Sequence, residues 1–331
     1  MLPERSCVCT VATVRIDVLL GPDELRSMLA ADVREGLSRS PKAVRTRWVW
    51  DAHASELFDR IIALPTYDLP RRELAILEAR ASEIAKRAAP ETFVELGSGS
   101  SPRTALLLDA LVAAGLRRYI AVDVSEAALR DSLPRLAERY PELEIVGAVA
   151  DFERQLMDIG APGRVLLGML GSTIGGLDTD ERRVLLRASA QKLVPAGTLL
   201  LGLDLVKPTE KVLTAYAHPD ELAAGLISNV LPIANRELGA DFDASRFVAD
   251  KVWNSAEERL ETFVRSLEDQ RVSISAISLT LELGAAETIR TQLSAKFRRE
   301  RVEAELVTAG FTLSAWWPDR GNGYAVCLAT R

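Results

Sequence analysis

The sequence predicts an α/β chain: a Rossmann-like, doubly wound parallel sheet joined to a second domain of helices and strands. Three observations lead there. Short apolar runs at 93–96, 119–124, 145–150, 165–170 and 198–203 alternate with single helical stretches, the pattern of parallel βαβ units. A Gly-rich turn, Glu95-Leu-Gly-Ser-Gly-Ser-Ser101, follows the first of these runs and opens a helix. The alternation then stops after Asp204, so the remainder needs a different architecture.

The elements are justified in order. Residues 8–20 alternate as a strand, and helices follow, one with Pro22 near its start and one over 55–64 with apolar residues at helical spacing. Leu64-Pro-Thr-Tyr-Asp-Leu-Pro70 breaks the pattern, because two prolines so close disfavour a helix, and a new helix runs from 72 to about 88. Within the α/β series, Gly115 stops the helix over 104–114, Ser125 offers an N-cap for the next, and 180–193 is helical. From 209 to about 267 the chain reads as consecutive helices punctuated by Pro219 and Pro232. Alternating runs at 272–283 and 291–297 read as strands, and 311–317 with 324–329 as a final pair returning to the sheet.

Composition removes several classes of function. Lys plus Arg is 41 and Asp plus Glu 47, a net charge of −6, which argues against a dedicated nucleic-acid binder. Cys7, Cys9 and Cys327 are too few and too terminal for a disulfide framework, which suits a reducing compartment. His53 and His218 are the sole histidines, so a three-histidine metal site is impossible and no metal is expected. His53 reads as a hydrogen-bonding residue at a helix start and His218, before Pro219, as a surface turn. Trp316-Trp317 reads as core packing, and the basic runs Arg71-Arg72 and 298–301 as solvated faces. The apolar stretch at 7–14 follows Glu4 and Arg5 and is cut by Arg15 and Asp17, unlike a signal peptide, and no run spans a membrane. A cytoplasmic protein without membrane or nucleic-acid partners is expected, with a monomer favoured.

The chemistry concentrates at three strand ends. The Gly turn lets backbone approach a nucleotide-like ligand, although Pro102 takes the place of the third glycine of a dinucleotide fingerprint. Asp123 closes the second strand, where a carboxylate can accept both ribose hydroxyls. Asp151-Phe152 closes the third, where a carboxylate can accept an adenine amino group while the ring packs. Taken singly, each has a plain structural explanation as a turn. Together they match adenosine held without a phosphate clamp, and the pattern resembles a class I S-adenosylmethionine methyltransferase. Leu170-Gly-Ser-Thr-Ile-Gly-Gly-Leu177, after the fourth strand, suits a wall between cofactor and substrate.

A narrower resemblance follows. Trp50-Asp-Ala-His-Ala-Ser-Glu-Leu-Phe-Asp59, Glu95-Leu-Gly-Ser-Gly99, Leu170-Gly-Ser-Thr-Ile-Gly175, Asp204-Leu-Val-Lys207, Asn235-Arg-Glu-Leu238 and Trp253-Asn-Ser-Ala-Glu-Glu-Arg259 resemble the histidine-specific methyltransferase family, from about Arg47 to the C-terminus. The family's ergothioneine-pathway member methylates the α-nitrogen of histidine. The resemblance implies a substrate-binding domain from 1–71 plus 207–296 and an S-adenosylmethionine-binding domain from 72–206 plus 297–331. The implied cofactor contacts are Glu95, Gly97, Ser98, Gly99 and Arg103 from the turn and Asp123, Val124, Asp151 and Phe152 from the next two strand ends. Gly171, Ser172 and Thr173 complete them. The implied acceptor contacts are Tyr67, after the Leu-Pro turn, and Tyr216, in the insertion, both also assigned to catalysis. Thr262 and the pair Gln292 and Ser294, just before Lys296-Phe297, join them.

Three positions depart from that family. Gln292 replaces a glutamate, Gly176 replaces an asparagine that fixes the amino acid head group, and Trp50 replaces a tyrosine of the pocket wall. A head-group anchor missing at Gly176 demands another partner or another orientation. Trp50 and Tyr67 could hold a cationic acceptor by cation–π attraction. The expectation is an S-adenosylmethionine-dependent N-methyltransferase of a free amino acid, with the acceptor shifted from histidine to another α-nitrogen or to a side-chain nitrogen such as a guanidine. A true histidine Nα-methyltransferase is the alternative. From other classes, a nicotinamide-dependent oxidoreductase would share the Gly turn and Asp123, and a regulatory binder would hold the cofactor without turnover.

Overall fold

The computed structural model describes residues 14–99, 102–193, 196–217 and 219–331, with no side-chain detail at 102, 103 and 220. In chain order, β1 (Arg15–Val18), α1 (Pro22–Leu37), β2 (Lys42–Ala43), α2 (Ala52–Ile62) and α3 (Leu69–Ala88) precede the α/β series. That series is β3 (Thr92–Leu96), α4 (Pro102–Ala113), β4 (Arg118–Asp123), α5 (Glu126–Arg139), β5 (Glu144–Val149), α6 (Phe152–Gln155), β6 (Val165–Met169), α7 (Thr179–Lys192) and β7 (Thr198–Asp204). Next come α8 (Thr209–Ala215), α9 (Asp220–Ser228), α10 (Val230–Leu238), β8 (Phe247–Asn254), β9 (Arg259–Ser266), β10 (Gln270–Ile274), β11 (Leu279–Leu283) and β12 (Thr288–Ala295). The chain ends with α11 (Arg299–Ala309), β13 (Thr312–Pro318) and β14 (Tyr324–Thr330).

The large sheet has the order β1-β5-β4-β3-β6-β7-β14-β13, parallel from β1 to β7, with β14 antiparallel to β7. The central strands β3, β6 and β7 are buried along their whole length, because helices cover both faces. From β3 the chain progresses one way to β4 and β5, and then the other way to β6 and β7. The crevice at such a reversal, beyond the carboxyl ends of the strands, is where doubly wound folds take their ligands.

The insertion strands β12, β9 and β8, with β2 of the N-terminal segment added parallel to β12, form a second sheet, β2-β12-β9-β8, beside a separate β10–β11 hairpin. The chain leaves the large sheet at Asp204 and returns at Phe297, and the two points are stitched together. Phe297 N donates to Asp204 O at 2.9 Å and Val206 N to Phe297 O at 3.0 Å. The insertion therefore starts and finishes at the carboxyl edge of β7.

Several expectations change. The residues 15–18 join the large sheet beside β5 instead of the insertion, with the rest of the predicted first strand up to residue 13 outside the described residues. The helical reading of 209–267 holds only to Leu238; β8 and β9 follow as an antiparallel pair. The run 272–283 is broken by a turn over Ser275–Ile277 into β10 and β11. The basic run at 298–301 leads into α11 and is exposed over 298–300, as expected, while Arg301 pairs with Glu305 at 3.1 Å. Arg72 also belongs to no merely solvated face: it bridges Asp68 and Asp319 and so fastens α3 to the loop before β14. Asp51, not His53, caps α2, accepting Ala54 N at 3.0 Å, while His53 is exposed. Ser125 caps α5 and Trp317 is buried, as expected; His218 lies outside the described residues. Among the described residues, no helix is long and apolar enough to cross a membrane.

Candidate functional site

The Gly turn after β3 takes the backbone shape its sequence allows. Gly97 and Gly99 have φ of +68° and +50°, in the left-handed region open to glycine at little cost. A Cβ on Gly97 would stand 2.9 Å from Thr173 Cγ2, so this turn packs directly against the turn after β6. A Cβ on Gly99 would meet nothing within 4 Å. Gly99 N donates to Asp123 Oδ2 at 3.1 Å and Ser125 N to Asp123 Oδ1 at 2.9 Å. Burial pushes the Asp123 carboxyl upward, against these two amides and that of Val124. A carboxylate has about four acceptor positions, so with three amides placed Asp123 keeps capacity for a further donor. Ser98 Oγ is buried at the same turn with no hydrogen-bond partner among the described residues. A glycine cradle, an orphaned hydroxyl and a carboxylate with spare capacity fit an adenosine-bearing ligand. Arg103's side chain is outside the described residues.

Glu95 points the other way. It is buried beneath the turn and accepts Thr104 Oγ1 at 2.9 Å and Tyr119 Oη at 2.7 Å, which makes it a support of the turn. Asp151 closes β5 with 2% of its surface exposed, its Oδ1 accepting Glu153 N at 3.0 Å as the cap of α6. Its Oδ2 accepts Arg47 Nη1 at 2.8 Å, a contact that sequence reading did not foresee. Phe152, the first residue of α6, packs against the core beside it.

The turn after β6 is held from below. Gly171 has φ +71° and Ser172 φ +61°, and Gly171 N donates to Glu73 Oε1 at 2.9 Å. Glu73 is fully buried on α3 and also accepts Tyr324 Oη at 2.7 Å. Ser172 Oγ accepts Asp204 N at 3.3 Å, and Thr173 Oγ1 donates to Leu170 O at 2.7 Å.

On the insertion side, an aromatic ladder runs from Trp50 through Phe58 and Tyr67 to Tyr216. Successive ring centroids are 5.2, 6.0 and 5.8 Å apart, all edge-to-face. Tyr216 Oη lies 2.9 Å from Ser294 Oγ. Burial, with the Asp204 charge, raises the Tyr216 phenol above its usual range. Gln292 and Ser294 share one face of β12 by strand alternation; Gln292 Nε2 donates to Leu226 O at 3.3 Å. Thr262, opposite Gln292 on β9, is buried with its hydroxyl 3.4 Å from Thr291 Oγ1. Gly176 ends the short turn over Thr173–Gly176, and a Cβ there would meet only Thr46 Cγ2, at 3.6 Å.

The sequence-level residues thus fall into two groups at one crevice. The turns after β3 and β6 meet at Gly97–Thr173, and the acceptor group adjoins them through Ser172, Asp204 and the β12 row. Sequence reading missed Glu73, Arg47 and Lys296, each of which takes a partner far away in the chain; Lys296 Nζ is 2.8 Å from Asp204 Oδ2 and 2.9 Å from Tyr216 Oη. Lys296 stood within a quoted motif, and the clue was a lysine among residues that the fold buries.

The chain also resembles known proteins. A family profile described as "Histidine-specific methyltransferase, SAM-dependent" matches residues 29–331. Over 320 residues, 96% of this chain and all of the relative, it is 41% identical to Histidine N-alpha-methyltransferase of Mycolicibacterium smegmatis. Over 313 residues it is 42% identical to the protein of that name from Mycobacterium tuberculosis, covering 94% of this chain and 98% of the relative. N-methyltransferase fsqC of Aspergillus fumigatus is 28% identical over 312 residues, 91% of this chain and 83% of that protein.

Proposed function

Because the chain belongs to the histidine-specific, S-adenosylmethionine-dependent methyltransferase family, we propose that it methylates a nitrogen of a free amino acid other than histidine, with the arginine guanidine as the leading acceptor. S-adenosylmethionine is the methyl donor; when bound, it supplies an electrophilic methyl group on a sulfonium. In this reading the Gly97–Gly99 turn, Asp123 and Asp151 hold its adenosine, and Gly171–Thr173 forms the wall toward the acceptor.

The observation that carries the acceptor proposal is Gly176. No positive φ forces a glycine there, and an added Cβ finds its nearest neighbour at 3.6 Å, an ordinary contact distance. The backbone and packing would accept a side chain, so the glycine reads as a choice about what lies in front of it. A short head-group anchor is absent where the wall has room for one. Gln292 adds a neutral amide where an acid would favour a cationic ring, and the Trp50–Tyr216 ladder offers aromatic faces to a delocalised cation.

Positioning supplies much of the catalysis in such a transfer, because the reaction is an in-line displacement between two held partners. The aromatic ladder orients the acceptor and excludes water. The acceptor nitrogen must present a lone pair, so an ammonium or guanidinium loses a proton before or during attack, to water or to a nearby tyrosine.

The deciding experiment incubates the protein with S-adenosylmethionine and each amino acid in turn and reads products by mass spectrometry. Methylated arginine, or another non-histidine product, as the fastest reaction is expected. Histidine as the best acceptor would return the chain to the activity for which its 41–42% identical relatives are named. No product from any amino acid would sink the reading.

A further inference from the structure

Trp50 and Gln292, on opposite sides of the acceptor group, are both tied to the corner between α9 and α10. Asn229 occupies that corner and is 3% exposed. Its Nδ2 donates to Val49 O at 2.8 Å and to Asp51 Oδ1 at 2.8 Å, so one side-chain amide holds both chain neighbours of Trp50. Both partners are acceptors, so the NH2 end of the amide must face them, and its two N–H donors are used. Leu226 O, three residues earlier, accepts Asn229 N at 3.4 Å and Gln292 Nε2 at 3.3 Å.

These bonds act on the backbone around Trp50 and leave its ring free to face the crevice. Val49 O belongs to the peptide that ends at Trp50 N, and Trp50 N itself donates to Arg47 O at 3.3 Å. With both flanks held, the indole moves only about its own side-chain torsions. The edge-to-face contact with Phe58, centroids 5.2 Å apart, restricts those. Asp51 Oδ1 also accepts Ala54 N at 3.0 Å as the cap of α2, the helix that carries Phe58. The Asn229 amide therefore registers Trp50 and Phe58 together against α10. Burial alone would not fix the indole, because Trp50 is only half-buried.

We propose that Asn229 is a positioning residue for the choice of acceptor: it sets where the Trp50 ring stands in the acceptor wall and acts through that ring. The proposal rests on the amino acid N-methyltransferase reading above, but not on which amino acid is methylated. A staple that served stability alone would be indifferent to which acceptor is bound.

Two measurements with Asn229→Leu test it, a change that keeps a similar shape and removes both donors. The first is the fluorescence of Trp50, taken as the spectrum of the protein minus that of its Trp50→Phe variant, with S-adenosylhomocysteine bound and no acceptor. In the Asn229→Leu background this difference is expected to shift to the red and to lose anisotropy, as the indole gains water and freedom. An unchanged difference spectrum overturns the proposal. This arm needs no turnover, so it decides the matter even if no amino acid is methylated. The second compares kcat/KM for the two best acceptors of the panel. Their ratio is expected to fall by about tenfold or more, chiefly through KM of the preferred one, with S-adenosylhomocysteine affinity within about twofold of the parent. In the Trp50→Phe background the same change is expected to alter the ratio by less than about twofold, because the two residues act as one unit. An unchanged ratio, or full additivity with Trp50→Phe, would overturn it. If Asn229→Leu fails to fold, Asn229→Ser, whose shorter side chain cannot span both acceptors, carries the same readouts.

Discussion

The Arg47 guanidinium lies 2.8 Å from the Asp151 carboxylate and 2.9 Å from that of Asp32, joining the segment before α2 to the end of β5. Arg47 is almost buried, with 8% of its side chain exposed, and Asp32 also accepts Trp48 Nε1 at 2.8 Å. Trp50, the start of the aromatic ladder, is three residues further along. One guanidinium therefore connects the proposed adenine edge to the proposed acceptor wall. Removing one partner of a buried ion pair leaves the others charged and uncompensated, at a cost of about 3–5 kcal/mol. Arg47→Met is expected to lower the melting temperature by several degrees and to weaken S-adenosylhomocysteine binding, both read by calorimetry. Arg47→Lys is expected to recover only part, since a point charge cannot reproduce the fork to two carboxylates.

The same cluster makes stability depend on pH. Glu153 is 3.1 Å from Arg47, and burial pushes its carboxyl up to about 7, against the opposing pull of Arg47. Between its ordinary value near 4.5 and about 7, the folded protein binds a proton that the unfolded chain has released. The contribution is thus fully present below pH 4.5 and lost as pH rises through 7. Glu153→Gln is expected to flatten this slope, so that its melting temperature gains on that of the parent from pH 5 to pH 8. A constant difference across that range would show that Glu153 does not titrate there.

Gly97 and Gly99 separate packing from binding. Both have positive φ, so alanine at either is expected to cost about 1–2 kcal/mol in backbone strain. Gly97→Ala must also displace Thr173, 2.9 Å from the new Cβ, and should disturb the turn after β6. Gly99→Ala meets no protein atom within 4 Å. If that open space belongs to the cofactor, Gly99→Ala keeps the smaller stability loss yet reduces S-adenosylhomocysteine affinity at least about tenfold. Unchanged affinity would place the ligand elsewhere.

How much of this was legible in the sequence depended on the separation of the partners. The β3–β7 series was readable because buried parallel strands are continuous apolar runs between helices. The hairpin β8–β9 was not: Asp250 and Lys251 interrupt β8, whose residues are mostly half-buried, so neither alternation nor an apolar run marks it. The Gly turn, Asp123 and the β12 row announced themselves by local motif. Glu73 did not, because it supports Gly171 from 98 residues away and looks like any helical glutamate. Glu73→Ala is expected to remove the acceptor that Gly171 N and Tyr324 Oη share and to cost about 3 kcal/mol, seen as a lower denaturation midpoint. Lys296 was likewise opaque, since only the junction at Asp204–Phe297 brings it against Asp204 and Tyr216.

The acceptor question reduces to two positions that can be reversed. At Gly176 the room for a side chain means that Gly176→Asn should fold, with less than about 1 kcal/mol lost. Gln292→Glu removes the amide that donates to Leu226 O and turns a carboxylate toward that carbonyl, an unfavourable arrangement unless a cationic group comes between them. The single change should therefore favour an acceptor that brings positive charge to position 292. Combined, Gly176→Asn and Gln292→Glu supply a head-group anchor and an acid at the far end, the arrangement that suits a histidine. The double variant is expected to gain about 10- to 100-fold in kcat/KM with L-histidine relative to the parent, and to gain less with L-arginine, whose guanidinium a carboxylate holds in the charged, unreactive form. Measured side by side on both amino acids, equal changes for the two would show that these positions do not set the choice of acceptor.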